Sequence, residues 1–301
     1  MKLKTSIIAT SAAVLGLVAA YGCVGPPKPS SGAAPNPPPP APAAGGFLET
    51  FDSPAGFTGR FVTQVVHGFV PPELSSWQGD HDDHCGAPTT TRTIHAANPA
   101  ESFYWCGPSG PASGHIMTSM DTTGYAELDF SPNAAFNNVS KVCWDQNQTE
   151  LGVRKWTQMV VVPEAVFQAN GRQLNYENPG EPVTVDNDLA LSSDTFMFVM
   201  LRGSTQTYTG PGVYDSNFDG FTTTDKARRF RTCITDQRNG TVRIELERET
   251  STEVRVLRGS FPSGAARVIF QDNSYDPPKD PPTLPVSEPF TWHWDNIAVY
   301  N

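Results

Sequence analysis

The sequence predicts an all-β fold, a two-sheet antiparallel sandwich of the jelly-roll type, and three observations carry that expectation. From residue 47 onward the apolar side chains recur at period two, in short runs. Gly, Pro, Asn and Asp break these runs, with 25 Gly and 28 Pro in the chain. No stretch sustains a helical apolar stripe beyond two turns. The roughly 255 residues from 47 to 301 exceed an immunoglobulin-like domain and suit a larger two-sheet jelly roll.

The chain opens differently. Lys2 and Lys4 precede a small, apolar stretch from Ser6 to Ala20, too short to span a membrane of roughly 30 Å as a mature helix and suited to a signal h-region. Ala20-Tyr21-Gly22-Cys23 then resembles a bacterial lipobox, in which the Cys is lipidated and becomes the first mature residue. Residues 1–22 are therefore expected to be a lipoprotein-type signal peptide and Cys23 a lipidation site. The protein is expected outside the cytoplasm, lipid-anchored to the bacterial membrane or secreted, touching the bilayer through that lipid alone. Residues 23–46 hold nine prolines and no large apolar side chain beyond Val24. Such a segment cannot bury a core and is expected to act as a disordered spacer.

Five cysteines in an exported chain leave an odd one. With Cys23 lipidated, Cys85, Cys106, Cys143 and Cys233 form an even set suited to two disulfides. Four cysteines allow three pairings; Cys85–Cys106 as a loop staple and Cys143–Cys233 between two strand-like segments are favoured. No CxxC pair supports a zinc ribbon. A formal charge of −10 argues against a nucleic-acid partner, and the one Arg-rich run, Arg228-Arg229-Phe230-Arg231, is too short to reverse that.

Strands are expected at Phe61–Val66, His115–Met120, Tyr125–Phe130, Trp156–Val162, Thr195–Leu201 and Phe230–Thr235. Thr241–Arg248, Glu253–Leu257, Ala266–Gln271 and Phe290–Tyr300 complete the series, with one short helix near Pro163–Ala169. The opening Phe47-Leu48-Glu49-Thr50-Phe51-Asp52 and the closing His293-Trp294-Asp295-Asn296-Ile297-Ala298-Val299-Tyr300 resemble the terminal strands of concanavalin A-like lectin/glucanase jelly rolls. The resemblance implies that an "FxExFD" strand pairs with an "xDNIxV" strand, and that the scaffold is one used by lectins and glucanases.

Several residue groups are candidates for chemistry. One glucanase branch carries E-x-D-x-x-E or E-x-D-x-E on a strand whose alternation aims every acid into one cleft. Retaining hydrolysis needs two carboxyl groups about 5 Å apart, one of them protonated. Here Glu127 and Asp129 match the first two acids, and Ser131 or Pro132 stands where the third belongs. Glu245, Glu247 and Glu249 form a second run of alternate acids, more often a solvated face compensated by cations such as Arg243. His81, Asp83 and His84 lie in the densest cluster of metal-ligating side chains. Asp215, Asn217 and Asp219, followed by Gly220, fit the first half of a calcium loop, but Lys226 stands where its bidentate Glu belongs. Calcium is the cofactor these residues would suit.

Trp77, Tyr104, Trp105, Tyr208 and Tyr214 fall in or near polar segments where exposed rings would stack on sugars. Trp144, Trp156, Trp292 and Trp294 lie inside strands and are expected in the core. No nucleophile elbow, P-loop, dinucleotide fingerprint or HExxH motif is present. Together these features favour a surface module that binds a polysaccharide or cell-envelope glycan. The alternative is a polysaccharide hydrolase or lyase using Glu127 and Asp129.

Overall fold

The computed structural model describes residues 38–57, 59–67, 92–94, 103–106, 114–120, 125–148, 155–169, 195–201, 204–209, 214–216, 230–248, 251–275 and 290–301. In chain order the strands are β1 (Phe47–Glu49), β2 (Phe61–His67), β3 (Arg92–Ile94), β4 (Phe103–Cys106), β5 (His115–Met120) and β6 (Tyr125–Pro132). They continue as β7 (Phe136–Asn137), β8 (Lys141–Gln148), β9 (Lys155–Pro163), β10 (Phe196–Leu201), β11 (Ser204–Thr209) and β12 (Tyr214–Ser216). β13 (Phe230–Asp236), β14 (Thr241–Glu247), β15 (Thr252–Arg258), β16 (Ala265–Tyr275) and β17 (Phe290–Tyr300) complete the set. The helix α1 spans Glu164–Ala169, where the sequence places it.

All described pairings are antiparallel, in two sheets. An eight-stranded front sheet runs β12-β11-β10-β9-β16-β6-β2, with β7 also on β16. A nine-stranded back sheet runs β15-β14-β13-β8-β17-β5-β4-β3, with β1 also on β17. This is the jelly-roll sandwich that the period-two pattern predicts.

The terminal strands meet as the resemblance implies: Phe47, Leu48 and Glu49 pair with Val299, Ala298 and Ile297. The opening motif has a local reason. Phe51 is buried at φ 52°, a conformation costly for a bulky side chain, and the Glu49 carboxylate accepts its backbone N–H at 2.8 Å. Arg60 pairs with the same buried carboxylate.

The closing motif contains a β-bulge. Asp295 pairs with Asp145, and the next pair is Ala298 with Cys143, so three steps on β17 oppose two on β8. Asn296 sits at φ 50°, a conformation Asn tolerates better than most residues. The bulge restores the inward phase, because both Trp294 and Ile297 are core residues, and strict alternation would separate them. It also marks where β17 changes neighbour, from β5 at Phe290–Trp294 to β1 at Ile297–Val299.

Rings from both sheets fill the space between them. Trp294 meets Phe130 edge-on at 5.2 Å and Phe270 at 5.5 Å, while Phe130 and Phe270 stack at 5.3 Å. Trp144 packs on Phe270 at 5.7 Å and on Phe198 at 6.1 Å. Each such side chain contributes about 1.5–3 kcal/mol by burial, and an aromatic pair adds roughly 0.5–1.5. The indole N–H groups are served from within: Trp294 donates to Asp272 at 3.0 Å, and Trp144 to Gln146 at 3.2 Å. Cys143 and Cys233, cross-strand partners on β8 and β13, form a disulfide.

Asp145 fixes the bulge. Its carboxylate accepts Arg231 Nε at 2.6 Å and Nη2 at 3.0 Å, and Asn296 Nδ2 at 2.8 Å, all buried. Removing one partner of a buried pair leaves the other charge uncompensated. Asp145→Ala is expected to lower unfolding stability by about 3–5 kcal/mol in urea denaturation; a loss below about 1 kcal/mol would show that the network does not hold the bulge.

Candidate functional site

The outward side of the front sheet changes character along its length. At one end, Val160 and Val162 of β9, Met197 and Val199 of β10 and Ile269 of β16 form an apolar patch. The helix α1 covers it with Phe167 and, partly buried, Val166. Arg267 clamps the helix through both oxygens of Glu164, at 2.6 and 3.1 Å, with its guanidinium 5.0 Å over the Phe167 ring.

One step further along each strand the same side turns polar. Asp129 pairs in register with Gln271, and Gln271 with Gln158, so β6, β16 and β9 carry a row of a carboxylate and two carboxamides. Period two sends Leu128, Phe130, Met159 and Phe270 into the core and these three away from it. All three are nearly inaccessible, at 4% exposure for Asp129 and Gln158 and 0% for Gln271. Gln271 Nε2 donates to Asp129 Oδ1 at 3.1 Å. Gln158 Oε1 is buried without a hydrogen-bond partner. Buried side-chain oxygens of this kind are ordinarily met by protein or by ordered water.

The row contains the Asp129 half of the Glu127/Asp129 pair. Glu127 aligns by backbone register with Val66 and Asn273, and its side chain lies outside the described residues. Ser131, two positions beyond Asp129, is buried and carries no acid function. Neither glutamine was singled out from the sequence. The signal that could have found them is a polar residue in phase with an apolar alternation: Gln158 with Val160 and Val162, Gln271 with Ile269.

The expected aromatic group is divided between the sheets. Tyr208 and Tyr214 are register partners on β11 and β12 of the front sheet, while Tyr104 and Trp105 belong to β4 of the back sheet. Trp77 lies outside the described residues, as do the side chains of those four. Trp144 and Trp294 occupy the core as expected; the side chains of Trp156 and Trp292 are not among those described. His81, Asp83, His84, Cys85, Asn217, Asp219 and Cys23 lie outside the described residues. Asp215 is in β12 and Cys106 in β4, described for their backbone alone. Among the described residues no group of three or more His, Cys, Asp or Glu side chains is arranged to hold a metal ion.

The outer side of the back sheet carries the other acidic run. Glu245 pairs with Arg243 at 2.5 Å, and Glu247 lies 3.9 Å from Arg231, a compensated polar face. A cavity of about 180 Å³ opens there, lined by Pro39, Pro40, Lys141, Arg231, the disulfide, Glu245, Glu247 and Thr252.

No protein-family model and no curated protein matches the sequence. Among solved structures the chain is similar to a Bacillus licheniformis β-glucanase, with a TM-score of 0.44 and 11% identity over 85% of this chain and 98% of that one. It is also similar to LamAcat from Zobellia galactanivorans, at 0.42 and 13% identity over 82% and 99%. A legume lectin-like domain from Entamoeba histolytica gives 0.43 and 7% identity over 82% and 91%.

A group kept for binding rather than stability can be removed without unfolding the chain. Gln158→Leu, which deletes the unmet acceptor at similar volume, is expected to leave the thermal midpoint unchanged or raise it by a few degrees. A fall of more than about 4 °C, equivalent to roughly 1–2 kcal/mol in a domain of this size, would assign Gln158 a structural role.

Proposed function

We propose that this protein is an exported glycan-binding jelly-roll module, carried on a Pro-rich tether from a lipidated Cys23, with its ligand site on the outward side of the front sheet and the buried Asp129–Gln271–Gln158 row beneath it. The observation that carries the reading is the unmet Gln158 carbonyl, which faces away from the core in a row with a carboxylate and a second carboxamide. Sugar hydroxyls donate and accept within one small group, and a mixed row of carboxylate and amide oxygens and N–H groups complements them. Binding is favoured over hydrolysis because Ser131 or Pro132 stands beyond Asp129 where the glucanase pattern has its third acid. A divalent ion, calcium by the oxygen chemistry of the side chains, is the group that Asp215, Asn217 and Asp219 would suit.

The test is a panel of soluble polysaccharides and oligosaccharides, titrated by calorimetry with and without calcium. At least one neutral glycan is expected to bind, with Asp129→Asn and Gln158→Leu each weakening it tenfold or more at unchanged fold. Absence of binding across the panel would overturn the reading. Release of reducing sugar, abolished by Glu127→Gln, would replace it with the hydrolase.

A further inference from the structure

The tether and the domain are not separate where they meet. Residues 38–46 were expected to belong to the spacer, yet Pro39 is buried. Tyr300, next to last in the chain, donates its hydroxyl to the Pro40 carbonyl at 2.8 Å. Lys141 lies 5.5 Å over the Tyr300 ring, and Pro39 and Pro40 form one wall of the cavity whose floor is the disulfide and Arg231.

The chain then turns sharply to enter β1. Gly46 N–H donates to the Ala43 carbonyl at 3.0 Å, and Gly45 adopts φ 89°. A side chain on Gly46 would come within 2.4 Å of Pro42 Cβ and 2.7 Å of the Val299 carbonyl, so glycine is required there. Proline suits such a contact, because its φ is already fixed and it has no N–H to strand on burial. Recognition of extended Pro-rich segments beside an aromatic hydroxyl is a recurring solution.

We propose that the outer side of the back sheet is a docking site for the Pro39–Pro42 segment of the same chain, so that the tether leaves the domain on the layer opposite the Asp129 row. The site is built from Tyr300, Lys141, Arg231 and the Cys143–Cys233 disulfide. Docking stands on these contacts alone; its consequence rests on the glycan reading above. Docking fixes the point at which the spacer leaves the domain, beside the back sheet, and keeps it clear of the front sheet's outward side. The Tyr300 phenol is held above its usual range by burial, with the Arg231 guanidinium pulling the other way, as a covered hydroxyl should be.

The experiment places a ketone-reactive spin label in the full chain at the exposed position 41, through Ala41→p-acetylphenylalanine, and a second at exposed Val256 by the same route. Docking predicts a slow spectrum from position 41 and a narrow distance distribution between the two labels. Pro39→Ser with Pro40→Ser is expected to give a fast spectrum and a broad distribution. A fast spectrum and broad distribution in the unsubstituted chain would overturn the proposal, as would a double variant that stays slow and narrow. Neither readout involves a sugar, so failure here is distinguishable from failure of the glycan reading.

Discussion

Asp145 stands at the point where the back sheet changes partners. Its carboxylate is gripped by both arms of Arg231 from β13 and by Asn296 from the bulge of β17. At that bulge β17 releases β5 and takes up β1, so one buried carboxylate coordinates the strand that closes the domain with the strand that opens it. The same bulge resets the phase that sends Trp294 and Ile297 into one core. Trp294 then contacts Phe130 and Phe270 of the front sheet, and those two strands position Asp129 and Gln271 on their opposite side. Site and closure are two faces of the same strand register.

The outer sides of the two sheets differ in chemistry. The back sheet offers compensated charges, a disulfide and a shelf occupied by prolines of the same chain. The front sheet is apolar under α1 and polar beyond it, with an acceptor that no protein group meets. A buried carbonyl left without any partner costs about 1–3 kcal/mol. Asp272 and Gln146, by contrast, are polar groups turned inward and engaged by the two indoles, a structural use of similar chemistry.

Much of the fold was legible because it follows from period two. The strand runs, the helix at Glu164–Ala169, the meeting of Phe47–Glu49 with Ile297–Val299, and Trp144 and Trp294 as core residues all obey local alternation or the motif at the two ends. The Cys143–Cys233 bond was one of three pairings open to four cysteines, and it was favoured because both residues lie in strand-like runs. The bulge was not legible, because Asp295-Asn296 within a strand carries no signal until its neighbour on β8 is known. Arg231 read as part of a short basic run, and only the register of β13 on β8 turns it into a buried ion pair. The glutamine row was hidden for the same reason. Residues 129, 158 and 271 become neighbours through cross-strand register, which no local pattern encodes. The docked prolines were read by composition, and composition says nothing about a phenol that waits at the other end of the chain.

Hydrogen–deuterium exchange of the backbone amides tests the closure most directly. If β17 is locked between β8, β5 and β1, the amides of Val142, Trp144, Ile297 and Val299 should exchange only through global unfolding, at one common free energy. Protection of β8 together with fast exchange at Ile297 and Val299 would mean that the last strand is not held between its neighbours, and would contradict the account.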